Sequence, residues 1–463
     1  MASIASGSPL KERLVGKTLH EVPTPSIVLD LAKLKVNCQR MMETAEKNGI
    51  GWRAHIKTHK TVELTRLQVG EDPSTPANII VSTVLEAERI TPLLCEFQSK
   101  GRKVNVLYAF PLYPSVIPRL AAISSTLGPS SVSLMLDHPS QVPLLTAIAG
   151  QSHPPLVFLK INVDTNRAGA IPGTPTYTAL LAATLEAEAA GHCTLHGLYA
   201  HAGQSYYTRK DWAALLYLTS EFKILQRVAQ DVRALSPRHA LTLSVGATPT
   251  ATALQHPELT EAAPADTQVA SLASLLQELK QDGLELEVHA GVYPTLDLQQ
   301  LATHARDNRL LSSSSIGVSV VAEVASLYEG RGEGGKMEAL INAGSLALGR
   351  EPCKEDGEGH YNGWGLVMPW GDTELEKLDP APSDFPAVHG GWQVGRISQE
   401  HGILVWKGDK EKAVNLKFGQ RVRVWPNHSC IAGAGYGHYL IVDSSSAGKE
   451  DEVIDVWERW NSW

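Results

Sequence analysis

No run of about 20 apolar residues occurs in the chain, which excludes a membrane-spanning helix as a reading of it. A basic excess is missing too. Lys and Arg number 41 against 49 Asp and Glu, a formal charge of -8, and nucleic-acid binding would need the opposite balance on one face. Cysteine is scarce: Cys38, Cys95, Cys193, Cys353 and Cys430 are odd in number and scattered, as in a reduced, cytoplasmic chain rather than a disulfide framework. No Cys-x-x-Cys pair occurs, so a purely structural four-ligand zinc site is not expected. Residues 1–17 mix small polar and charged side chains and lack the apolar core of a secretion signal. Internal repeats and low-complexity tracts are absent as well. What remains is a chain of 463 residues, 43% hydrophobic, with material for two or three ordinary domains.

Apolar, β-branched runs alternate with longer helical stretches through the first two thirds. A strand is expected over 26–30 and a helix over 31–48. Further strands are expected over 52–57, 79–82, 104–109, 132–136, 157–162, 196–201, 241–245 and 286–289, separated by helices such as 86–100, 176–190, 212–235 and 267–281. Eight βα units predict a (β/α)8 TIM-type barrel over residues 24–306, with a doubly wound open sheet as the rival. Beyond 306 the pattern changes to strands over 316–327, 340–346, 393–397, 403–407, 421–426, 439–442 and 453–457, with glycine-rich turns between some of them. This predicts a C-terminal all-β domain over 307–463, to which residues 1–30 are a candidate addition. Residues 1–20 read as a loose lead-in, and 351–390 as a loop over the site or a surface insertion.

Lys57 stands where the 52–57 run stops, among two histidines and two threonines. An amine so placed suits a Schiff base to an aldehyde cofactor such as pyridoxal 5'-phosphate, whereas an ordinary strand-end lysine merely reaches for solvent. Barrel enzymes gather functional groups at the C-terminal ends of strands. There Arg167 offers a fork for the cofactor phenolate or a substrate carboxylate. Alternation puts Tyr199 and His201 on one strand face, with Tyr206 just beyond. The stretch Ser244 to Thr250, including Gly246, Ala247 and Thr248, leaves backbone N–H groups bare for a phosphate, and Gly291 with Tyr293 follows the last barrel strand. Near the C-terminus His428 and Cys430, if the strand stays extended, project to one side as half of a zinc site, with positions left for water or substrate.

Arg53-Ala54-His55-Ile56-Lys57-Thr58-His59-Lys60-Thr61, His201-Ala202-Gly203-Gln204-Ser205-Tyr206, Ser244-Val245-Gly246-Ala247-Thr248-Pro249-Thr250 and Pro426-Asn427-His428-Ser429-Cys430 resemble the eukaryotic D-serine dehydratases. These stand with the D-threonine aldolases in the alanine-racemase-like, fold-type III group of pyridoxal-phosphate enzymes, and the likeness runs from about Pro23 to Val442. It implies a barrel plus a β-domain in a homodimer, with the site at their junction, Lys57 carrying the cofactor and His428 with Cys430 binding Zn2+. It further implies that Tyr199, Tyr206, Gly246 and Ala247 contact the cofactor. Alanine racemases carry an arginine where His289 stands here, facing the pyridine nitrogen, and the related aldolases carry an aspartate where Cys430 stands. The implied reaction is zinc-assisted α,β-elimination of D-serine to pyruvate and ammonia, with Lys57 as the base at Cα. The alternatives are a D-threonine aldolase, a D-threo-3-hydroxyaspartate dehydratase and a non-catalytic pyridoxal-phosphate carrier.

Overall fold

A computed structural model of the chain describes residues 9–237, 241–353, 360–371, 374–386 and 390–463. It separates into two compact units. One holds Gln39–Gly291, Thr303–Arg306 and Ser462–Trp463; the other holds the described parts of Met1–Cys38, Val292–Ala302 and Asp307–Asn461.

In chain order the first strand, β1 (Ser26–Asp30), belongs to the second unit. The first unit is a closed barrel of eight parallel strands: β2 (Gly51–His55), β3 (Ala77–Val81), β4 (Val104–Pro111), β5 (Val132–Leu136), β6 (Leu156–Lys160), β7 (Thr194–Tyr199), β8 (Thr242–Val245) and β9 (Glu285–Ala290). The barrel follows the alternating pattern, because strands covered on both faces read as nearly unbroken apolar runs. Every residue of β5 is buried. The interior is layered. Ile80, Leu107, Met135, Phe158 and Tyr199 pack as one apolar cluster. A polar layer accompanies it, in which Arg53 Nη1 donates to Asn105 Oδ1 (2.7 Å) and Ser133 Oγ donates to the same oxygen (2.9 Å). Helices start where a side-chain oxygen can accept a first-turn N–H, as Thr61 does from Leu64 and Asp266 from Gln268 and Val269. Helix Ala214–Leu235 buries Leu218, Phe222, Leu225, Val228 and Val232 along one face.

The second unit is a nine-stranded sheet of β1 with β10 (Val318–Tyr328), β11 (Glu338–Ile341), β12 (Gly365–Val367), β13 (Gly391–Ile397), β14 (Gly402–Lys407), β15 (Arg421–Pro426), β16 (His438–Val442) and β17 (Asp455–Glu458), in the order β11-β14-β13-β12-β15-β10-β1-β16-β17. Strand β10 also pairs β11, so the six strands from β11 to β10 form a closed circuit. Strand β1 sits antiparallel to β10 and parallel to β16.

Three expectations need correction here. The described part of 351–390 is irregular, as a loop would be, but it also supplies a sheet strand and core side chains: β12 is inserted between β13 and β15, and Tyr361, Leu366, Val367, Leu375 and Phe385 are buried. Within it, 354–359, 372–373 and 387–389 lie outside the described residues. The 1–20 lead-in contains helix Pro9–Leu14, and Leu14 and Leu19 pack with Val22, Val28 and Val442, while residues 1–8 lie outside the described part. The strand expected over 340–346 stops at Ile341, and a helical turn, Ser345–Leu348, follows. Gly344 leads into that turn because a Cβ there would stand 2.4 Å from the Ser398 carbonyl.

Candidate active site

Lys57 lies two residues past the end of β2, half-buried in a turn. The turn is held by its neighbours. His59 bridges Thr61 Oγ1 (3.0 Å) and Gln68 Oε1 (2.8 Å), Thr61 caps helix Val62–Val69, and Lys60 pairs with Glu86 at 3.1 Å. The Lys57 N–H points to His55 Nδ1 at 3.4 Å.

Around this amine stand three imidazoles. His55, His201 and His289 are each held well below the usual histidine range, first by burial and then by positive neighbours, among which Lys57 acts on all three. His289 stacks on Tyr199 with ring centroids 4.2 Å apart and planes 11° from parallel, and His201 lies 6.4 Å from His289. His201 Nδ1 bonds the Gly246 carbonyl at 2.7 Å. Tyr199 ends β7 and is buried, and burial pushes its phenol up. The barrel therefore gathers Lys57, Tyr199 and His201, three of the expected residues, together with His55 and His289.

Ser244 is buried in β8, and its hydroxyl donates to Glu287 Oε1 at 2.7 Å. Gly246 has φ +143, and a Cβ there would stand 2.2 Å from the His289 carbonyl, so the loop after β8 approaches β9 as only glycine permits. Ala247 precedes helix Thr248–Ala253, and Gly291 follows β9 at 3.2 Å from the His55 carbonyl for an added Cβ. Arg167 is exposed on the loop after β6, yet close enough to push down both Lys160 and His201. Tyr206 is half-buried in the helical turn Gly203–Tyr207. Tyr293 falls in the other unit, buried beside the Cys38 thiol, which burial raises to about 12.

Lys160 and Glu221 are buried charges that the sequence reading did not single out. Lys160 ends β6 with its ammonium 4.5 Å from the Tyr199 ring centre, and burial lowers its amine to about 7. Glu221, on the apolar face of helix Ala214–Leu235, accepts the N–H groups of Ala202 (2.7 Å) and Gly246 (3.3 Å). It ties the loops after β7 and β8 together, and burial raises its carboxyl to about 7. The available signal was a lone acid between Leu218 and Phe222 on a face otherwise apolar.

In the second unit the His428/Cys430 pair differs from expectation. Strand β15 ends at Pro426, His428 precedes helix Ser429–Ala434, and Cys430 lies in that helix's first turn rather than on an extended strand. Asp297 explains the turn: its Oδ2 accepts the Ser429 N–H (2.8 Å) and hydroxyl (3.2 Å), satisfying a first-turn donor. The same oxygen is 3.5 Å from His428 Nδ1. Cys430 lies within bonding reach of the imidazole. Burial pushes His428 down, but Cys430 and Asp297 outweigh it and hold the ring well above its usual range. Among the described residues no three His, Cys, Asp or Glu side chains gather as a metal cluster. The pair thus offers one imidazole and one sulfur, a borderline-soft set suited to zinc with open positions.

Comparison with known proteins is consistent in both halves. Residues 29–264 match the family Alanine racemase, N-terminal domain, and residues 317–442 match the Putative serine dehydratase domain. The chain is 35% identical over 459 residues to a D-serine dehydratase of Schizosaccharomyces pombe, covering 98% of this chain and 95% of that one. It is 29% identical over 464 residues to a D-serine dehydratase of Saccharomyces cerevisiae, covering 97% and 98%. Among solved structures, D-threo-3-hydroxyaspartate dehydratase from Delftia sp. HT23 superposes with a TM-score of 0.70 at 25% identity, covering 96% of this chain and 100% of that one. A cysteine-to-alanine variant of a D-threo-3-hydroxyaspartate dehydratase in the metal-free form gives a TM-score of 0.69 at 24% identity over 96% and 100%.

Proposed function

The chain belongs to the D-serine dehydratase family of alanine-racemase-like enzymes, and on that premise we propose that it is a lyase that eliminates water from D-serine to give pyruvate and ammonia. The observation that carries the reading is the barrel cluster: one amine, Lys57, whose charge pushes down His55, His201 and His289 together. Imidazoles that stay neutral leave the Lys57 amine as the basic group of the cluster, and once it has given up its proton it can attack the carbonyl carbon of an aldehyde cofactor.

The residues fit pyridoxal 5'-phosphate. Lys57 would hold its carbonyl carbon, the loop of Gly246, Ala247 and Thr248 its phosphate, and Tyr199, His201 and His289 its ring. Gly246 fits because its backbone conformation leaves no room for a side chain. When bound, this cofactor supplies an electron sink for charge developing at Cα. Lys57 Nζ would remove the Cα proton as general base. Tyr206 and Arg167 close the rim, and the Arg167 fork receives the substrate carboxylate. His428 and Cys430 would hold Zn2+, with Asp297 fixing the imidazole from behind. Zinc bound there supplies a Lewis acid for the β-hydroxyl, a poor leaving group otherwise. The enzyme works as a cytoplasmic homodimer on this reading.

A second reading, dehydration of D-threo-3-hydroxyaspartate, draws on the likeness to the Delftia enzyme. Purified protein with pyridoxal phosphate and zinc is assayed for pyruvate from D-serine, oxaloacetate from D-threo-3-hydroxyaspartate and glycine from D-threonine. Pyruvate from D-serine but not L-serine is expected. Glycine as the main product would make it an aldolase. A cofactor absorbance band with no product from any of the three would leave a carrier.

A further inference from the structure

A directional chain of hydrogen bonds in the barrel interior ends on an atom without a partner. Arg53 donates Nε to Glu287 Oε1 at 2.7 Å, both side chains being buried. An ion-paired carboxylate offers only lone pairs. Ser244 Oγ therefore spends its one proton on that oxygen, also at 2.7 Å. The same Oγ lies 3.1 Å from His289 Nδ1, and with its proton committed it can only accept. The proton of a neutral His289 must then sit on Nδ1, leaving Nε2 as a bare lone pair. Nε2 is buried and has no hydrogen-bond partner among the described residues. A buried acceptor left unmet is costly, and an active site is where such an atom finds a use.

We propose that the Arg53–Glu287–Ser244 relay fixes His289 as its Nδ1–H tautomer so that Nε2 accepts a hydrogen bond from a protonated ring nitrogen of pyridoxal phosphate. This rests on the cofactor reading above and makes His289 a specific contact within it. An arginine in this role can only donate, which favours an unprotonated ring nitrogen. A lone pair does the reverse, and a protonated ring is the stronger electron sink that elimination draws on. Burial, with Lys160, Arg53 and Lys57 nearby, keeps the imidazole neutral, as the relay needs. The Gly246 carbonyl pulls the other way, since it favours a proton on the ring.

The test is nitrogen NMR on protein labelled with 15N-histidine, stripped of cofactor and then reloaded with ring-15N pyridoxal phosphate. In the stripped protein a neutral Nδ1–H signature is expected, assigned by its disappearance in H289Q. It should collapse to a tautomer mixture in S244A and return in S244T. In the reloaded protein the cofactor nitrogen should resonate as protonated, and as unprotonated in H289Q. An Nε2–H tautomer in stripped wild type overturns the relay, and an unprotonated ring nitrogen in loaded wild type overturns the contact. Failure of the protein to bind pyridoxal phosphate at all overturns the cofactor reading and the contact with it, while the stripped-protein spectrum still reports on the relay.

Discussion

Replacing Glu221 with glutamine should make the enzyme more stable at pH 8 and leave it nearly unchanged at pH 5. The carboxyl is fully buried, and burial raises it from its ordinary 4.5 to about 7. In the unfolded chain it ionises near its ordinary value. Between about pH 4.5 and 7 the folded state therefore holds the extra proton, and stability falls as pH rises through that window. At about 1.4 kcal/mol per factor of ten, the charged form costs roughly 3 kcal/mol once the pH is above 7. In E221Q the side-chain oxygen still accepts from Ala202 and Gly246, the bonds seen at 2.7 and 3.3 Å, without the charge. Its amide N–H groups replace the buried Oε2, which makes no hydrogen bond among the described residues, so some of the gain is offset, by about 1 kcal/mol. Lys160 works in the opposite sense: its amine, lowered to about 7, adds stability as pH climbs from there toward 10.5. Urea unfolding of both proteins from pH 5 to 8 reads the difference, which includes the loss of the Glu221 charge that favours the Lys160 ammonium. A gain of about 2 kcal/mol at pH 8 that vanishes at pH 5 is expected. A difference independent of pH, or a loss at pH 8, refutes the argument that burial governs this carboxyl.

Lys57→Ala should remove the covalent cofactor band and cut turnover by about 10³-fold or more, read by absorbance and pyruvate release. Cys430→Ala should lower bound zinc, measured by atomic absorption, and abolish elimination while the cofactor band persists; full activity after thorough chelation would remove zinc from the reaction. Gly246→Ala places a Cβ 2.2 Å from the His289 carbonyl at φ +143, which should cost about 2–4 kcal/mol in chemical unfolding and weaken cofactor binding.

The barrel was legible because a parallel strand covered on both faces leaves a continuous apolar run, and each run from β2 to β9 falls within a few residues of its expected place. The eight strands close on one another, which an open doubly wound sheet does not. Lys57 and the His428/Cys430 pair were legible as unusual residues at the ends of such runs. Strand β12 was not, since three residues, Gly365–Val367, carry no period of their own. Helix Ser429–Ala434 was missed because the carboxylate that meets its first turn, Asp297, lies 132 residues away. The same distance problem hid the barrel's polar interior. Arg53 and Glu287 are 234 residues apart, so nothing local in the sequence pairs them, although each is buried against the other. Ser244 opens the stretch read as a phosphate loop, and its hydroxyl proton is given to Glu287 instead. Glu221 alone announced itself locally, as an acid on a face where Leu218, Phe222 and Leu225 call for apolar company. A charge that breaks an otherwise consistent pattern must be compensated by partners the pattern cannot name, and here those partners belong to the loops that shape the site. At Arg53, Glu287 and Glu221 local rules thus yield to partners elsewhere in the barrel, and their hydrogen bonds reach groups that carry no charge: the Ser244 hydroxyl and the N–H groups of Ala202 and Gly246.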